Sequence, residues 1–297
     1  MHIIKPGNLS LVSISEPEND APAWVSGTTY DIGSYVIRDH VVYVSSIDGN
    51  QGYDPAHEVQ ELEGARWIKV GATNTHRFFE GSLSTKTTGT SPLVIEVSVD
   101  ASFNAIALFD LDCSQCIIEI ITGGASKTVA TINTGAEPVK NWWQWLNTVF
   151  YRNSRRFIVS GASGYATSTI RLTIIGVAPA LGELIVGRRI EIGKTILKGS
   201  TSVKRRTFTT ISTNDFGLTT AKKRAIARDV TYAVHAKRSG FELKERFLDD
   251  VDGIPVVTFA RADAWAQFIN YGFITDYEIP ADLPKDFLFE ITTQGVS

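Results

Sequence analysis

The chain is poor in the residues that chemistry at a protein site most often draws on. Its 297 residues hold two cysteines and five histidines. Cys113 and Cys116 form a CxxC, but a four-ligand zinc site needs two further ligands, and the sequence has no second CxxC or Cys/His pair. The motif lies inside a strand-like run over residues 106–121 rather than at a helix start, so a structural or turn role is expected, with no metal and no cofactor. HExxH, GxSxG and GxxxxGK followed by Ser or Thr are all missing, which removes the common metalloprotease, hydrolase and phosphate-loop signatures. His40 falls on a predicted hairpin turn and His2 near the start. His235 alternates with Val234 and Ala236, on the wet side of a predicted strand. No catalytic residue is assigned, and the protein is not expected to be an enzyme. Spacing alone does not exclude a pair of carboxylates, so a polysaccharide hydrolase stays open as an alternative.

Long apolar runs are missing too. Residues 1–10 have no apolar core of the signal-peptide kind, and no run reaches the roughly 18–20 apolar residues of a membrane helix. A soluble protein made in a reducing compartment, with no membrane insertion, is expected. Charge of one sign is also lacking, with 29 Lys+Arg against 32 Asp+Glu. This balance gives no general pull toward nucleic acid. Lys204-Arg205-Arg206 and Lys222-Lys223-Arg224 are too short for a nucleic-acid surface; they read as a solvated face or as inter-subunit ion pairs. The balance hides an asymmetry: residues 1–71 hold 4 basic and 10 acidic groups, residues 179–297 hold 17 and 15.

What is present is β pattern and aromatic rings. Residues 1–22, with Pro6, Gly7, Pro17 and Pro22, read as an extended arm. Residues 23–72 hold three short strand signals around the Arg38-Asp39-His40 turn. Residues 73–178 contain LVIEVSV, NAIALFDLD, CIIEIIT, KTVATIN, NSRRFIVSG and STIRLTIIG, apolar or alternating runs of strand length that predict an antiparallel β-sandwich. Residues 179–297 read as an α+β domain. A helix is predicted from Ser239 to Asp250, with Phe241, Leu243, Phe247 and Leu248 on its apolar side, and GFITDYEI with DFLFEITT forms a closing strand pair. The fold class expected is mainly β and multidomain.

Trp24, Tyr30, Tyr35, Tyr43, Tyr53 and Trp67 fall within 44 residues. A flat ring stacks on a sugar face while its polar edge meets water, which marks Trp24, Tyr30, Tyr43, Tyr53 and Trp67 as a glycan-binding set. A β unit this small needs the same rings for its core, and both uses stand. Trp142, Trp143 and Trp145 cannot all point one way, because consecutive positions diverge in helix and strand alike. They mark an interface, or a plug over one end of the sandwich.

Residues 24–70 resemble the small chitin- or cellulose-binding modules attached to glycoside hydrolases, through Trp24, Tyr30, Gly33, Val36, Tyr43, Pro55 and Trp67. LGELIVGRRIEIGKTI, RRTFTTISTNDFGLTT, RAIARDVTYAV and the closing YGFITDYEI and DFLFEIT resemble the last domain of structural proteins of tailed bacteriophages. That resemblance implies a tail or baseplate component, made in the host cytoplasm and located in the virion tail. Its partners would be other copies of itself in a ring, other phage tail proteins and a host surface glycan, with no specific nucleic acid. The alternative is a non-catalytic carbohydrate-binding protein.

Overall fold

A computed structural model of the protein describes residues 1–57, 64–134, 141–147, 156–196, 201–239, 241–261, 266–278 and 286–296. Among these the chain is mainly β. It has one ten-stranded, one five-stranded and one three-stranded sheet, and two two-stranded ribbons. The alternation seen in the sequence forms the five-stranded sheet. In Leu93–Val99 the apolar positions Leu93, Ile95, Val97 and Val99 are buried, and the residues between them are only partly so. Thr169–Ile175 repeats the pattern. The sheet runs Ala125–Asn133, Gln115–Thr122, Thr169–Ile175, Leu93–Val99, Leu9–Ile14, all antiparallel. Its inner face packs on Phe103, Ile106, Leu108, Leu184 and Val186 of the ten-stranded sheet, which closes the predicted sandwich.

The ten-stranded sheet is curled. In spatial order its strands are Arg156–Gly164, Phe103–Phe109, Glu183–Glu191, His2–Pro6, Val256–Phe259, Asn270–Glu278, Asp286–Gly295, Ile226–Lys237 and Lys194–Ile196, with Ser202–Thr207 also pairing Ile226–Lys237. The predicted helix forms over Glu242–Asp249. Phe241 and Leu248 enter a core with Tyr232, Val234, Val256 and Ile291, whereas Leu243, expected on the apolar face, is exposed.

Strand pairing runs across two of the expected domain boundaries. Residues 1–22, expected as an extended arm, hold two paired strands. His2–Pro6 is an interior strand, hydrogen-bonded to Glu183–Glu191 on one side and Val256–Phe259 on the other. Leu9–Ile14 edges the five-stranded sheet against Leu93–Val99. The strands approach so closely that a Cβ at Gly187 would lie 1.9 Å from the Lys5 carbonyl oxygen, so only glycine fits there. Nor does the chain break at residue 178. Glu183–Glu191 pairs with Phe103–Phe109, so the sandwich and the helix-bearing region share one sheet. Pro179 changes the sequence texture without ending the hydrogen-bonded unit.

Candidate functional site

The three-stranded sheet is Tyr35–Arg38, Val41–Ser45, Trp67–Ala72. Asp39 and His40, both at positive φ, make the turn between its first two strands; Asp is among the few non-glycine residues that accept this region readily. Strand parity sorts the rings. Val36 pairs with Tyr43, and Ser45 with Trp67, on the inner face. There Val36, Tyr43 and Trp67 are buried, with Trp24 and Tyr30 packed against them. Tyr30 meets Trp67 edge-on at 5.3 Å, and Trp67 Nε1 donates to the Tyr53 carbonyl at 2.9 Å. Four of the five predicted glycan-binding rings are therefore occupied in the module's own core.

The opposite parity forms an outer face that the expected glycan-binding set leaves out. Tyr35 pairs with Val44, and Val44 with Ile68, so the three share the outer face. Tyr35 is 54% exposed, and Ile68 and Val70 are also exposed. Tyr53, in the loop before Pro55, is 47% exposed. The Arg66 guanidinium sits 3.4 Å from its ring centroid, covering one ring face in a cation–π contact. The signal for Tyr35 was there: it stands one residue out of phase with Val36.

Trp142 and Trp143 lie on the short helix Trp142–Asn147, edge-to-face at 5.9 Å. They are 71% and 64% exposed. The side chain of Trp145 lies outside the described residues. A second exposed feature is a hairpin outside the ring set. Ser202–Thr207 pairs with Ile226–Lys237 and continues outward as Thr210–Thr213 paired with Thr219–Lys222. The Asn214 side chain accepts from the Phe216 and Leu218 amides to close the tip. At about 3.3 Å per residue the strand from Thr207 to Thr213 adds roughly 20 Å beyond the ten-stranded sheet. Phe208, Ile211, Phe216 and Leu218 on it are exposed, Phe216 at 95%. Residues 203–226 carry six basic groups and a single acidic one, Asp215.

Cys113 is in the turn after Phe103–Phe109, and Cys116 is buried in Gln115–Thr122. Burial pushes the Cys116 thiol up to about 12, away from the reactive thiolate form.

A cavity of about 350 Å³ opens between Pro6, Gly7, Glu80, Glu183, Ile254 and Tyr271. Glu183 accepts from the Gly81 amide at 3.1 Å. Burial, then the neighbouring Glu80, raises its carboxyl to about 9 against that hydrogen bond. Glu80 accepts from the Ala72 amide at 3.2 Å and the Thr85 hydroxyl at 2.9 Å. Both carboxyl groups thus hold the loops around the strand start.

No protein-family model and no curated protein matches the sequence. Among solved structures, SpGH29 matches at 12% identity and a TM-score of 0.28, over 38% of this chain and 23% of that one, so this chain spans about a quarter of that length. Chitosan-binding module 2 of a chitosanase/glucanase from Paenibacillus sp. IK-5, solved with chitotriose, matches at 15% identity and a TM-score of 0.27, over 38% of this chain and 85% of that one. Chitosan-binding module 1 of the same enzyme matches at 17% and 0.27, over 38% and 83%.

Proposed function

We propose that the protein works by contact rather than by catalysis, assembling with further copies of itself as a structural component of a phage tail or baseplate. The observation that carries this is the hairpin of residues 208–225, which extends past the ten-stranded sheet. A two-stranded ribbon with apolar side chains at an exposed tip gains nothing in an isolated chain and invites association. Its excess of positive charge has a complement in the chain itself, the acidic first 71 residues. Opposite charges on different parts of one subunit favour head-to-tail pairing, which closes into a ring when the rotation allows. The resemblance of residues 179–297 to tailed-phage structural proteins supplies the kind of assembly.

Purified chain is expected to self-associate with rising concentration at low salt, and less at high salt because the steering charges are screened. Phe216→Asp, at a position with no internal packing, is expected to weaken association about tenfold or more while leaving the thermal midpoint in place. Sedimentation equilibrium reads the association, and a thermal melt followed by circular dichroism reads the midpoint. A chain that stays monomeric at every concentration, and cannot be traced in purified particles by cryo-electron microscopy, defeats the proposal.

A second reading, a non-catalytic carbohydrate-binding protein, is favoured by the exposed rings of Tyr53 and Tyr35. Calorimetric titration with chitin oligomers and host surface glycans tests it. Binding that Tyr53→Ala or Tyr35→Ala abolishes supports this reading; binding indifferent to both places the site elsewhere.

A further inference from the structure

Three segments distant in sequence meet beside the small sheet, and each brings one metal-ligating side chain. Glu18 comes from the stretch after Leu9–Ile14, His40 from the Asp39-His40 turn, and His76 from the segment that follows Trp67–Ala72. One ligand atom from each lies within 4.8 Å of the others. His40 Nδ1 is 3.0 Å from Glu18 Oε1, and the two imidazoles stack with centroids 3.8 Å apart at 20°.

The surroundings hold this group in place. Thr73 Oγ1 donates to Glu18 Oε1 at 2.6 Å, and Thr75 Oγ1 is 2.9 Å from His76 Nδ1. The Thr73 amide donates to the His40 carbonyl at 2.9 Å, and the His76 amide to the Thr73 carbonyl at 2.8 Å. Asp20, two residues past Glu18, accepts from the Asn74 amide at 3.0 Å and pairs with Arg77 at 3.2 Å. Backbone and side chain are thus tied on all three segments, and hydroxyls contact two of the three ligands, as outer partners of a metal site do.

We infer that Glu18, His40 and His76 form a site for one divalent transition ion of the zinc class, which fastens the small sheet to the body of the protein. Two imidazoles and one carboxylate suit Zn²⁺, not the all-oxygen preference of Ca²⁺ or Mg²⁺. Bonds of about 2.0–2.2 Å in tetrahedral geometry place ligand atoms roughly 3.3 Å apart; His40 Nδ1 and Glu18 Oε1 already stand at that spacing, and His76, with Nδ1 4.0 Å from Glu18 Oε1, must draw in. The stacked rings must also swing until their lone pairs converge. His40 has the room, because its side chain is 57% exposed. Water would complete the fourth position. The ion would replace a weak contact between two rings and a carboxylate with three bonds spanning the sheet, the segment before it and the segment after it.

The test uses the tag-free full chain, stripped with chelator and titrated calorimetrically with Zn²⁺ alone. One zinc per chain is expected, with no heat from Ca²⁺ or Mg²⁺, and the thermal midpoint should rise with zinc. Co²⁺ in its place should give the intense visible bands of a tetrahedral ion. His40→Asn keeps a residue tolerant of positive φ, so the turn survives; it should lower zinc affinity on the order of tenfold or more and cancel the thermal shift. Glu18→Gln should do the same. Absence of stoichiometric uptake by the native chain overturns the inference, as does uptake that His40→Asn leaves unchanged.

Discussion

A chain lacking residues 1–6 is expected to be recovered aggregated or unfolded. His2–Pro6 joins the two halves of the ten-stranded sheet, with antiparallel partners on both edges. Ile3 and Ile4 are fully buried and face different cores. Ile3 packs with Tyr232, Val234 and Phe289 near the helix, and Ile4 with Ala105, Ile185, Val257 and Phe259 on the other side. Removing the strand opens both cores and leaves two interior strands with unpaired edges, a template for aggregation. Graded versions keep the test quantitative. Ile3→Ala and Ile4→Ala should each cost about 2–5 kcal/mol, the range for large-to-small changes at fully buried positions. Urea unfolding checks this, with the slope expected to stay near the native value. A truncated chain that is soluble and as stable as the full one would show the strand to be dispensable.

That strand also shows where the sequence stopped being legible. HIIKP is five residues followed by Gly7, and its partners lie about 185 and 255 positions away. Nothing local says that it pairs at all. The apolar pair Ile3-Ile4 is the one cue, and it reads as a strand only once both sides of the sheet are known to be covered. Where the period of 2 runs longer, as in Leu93–Val99 or Thr169–Ile175, sequence and structure agree in strand and in facing. The rings of the small sheet lie between these cases. Trp67 and Tyr43 were visible as candidates for core or for sugar, and parity against Val36 decides for core. Tyr35 stands on the opposite parity and carries the outer face. The Glu18, His40 and His76 group was out of reach, because ligand spacing identifies a site only when one turn or hairpin supplies several ligands. Here each ligand comes from a different segment.

Glu183→Gln is expected to flatten the pH dependence of stability. Glu183 opens the strand Glu183–Glu191 and is buried beside Tyr271 and Glu80. Burial, reinforced by Glu80, holds its carboxyl protonated up to about 9, from an ordinary value of 4.5. Below pH 4.5 it is protonated whether the chain is folded or not, and its contribution to stability is fully present. As pH rises from 4.5 toward 9 the unfolded chain ionises and the folded chain does not. The unfolded state gains by up to about 1.4 kcal/mol per pH unit, and the folded state loses that stability progressively across this window. Glutamine keeps the size of the side chain and an oxygen to accept from the Gly81 amide, and its NH₂ takes the place of the acid proton as donor. It does not ionise, so the window closes. At pH 5 the two proteins should agree within about 1 kcal/mol. By pH 8.5 the variant should be more stable on the order of a few kcal/mol. Urea unfolding at pH 5, 7 and 8.5 reads the difference. Parallel stability curves for native chain and variant would mean that Glu183 is ionised in the folded protein, with water or a cation reaching it through the cavity beside Pro6 and Tyr271.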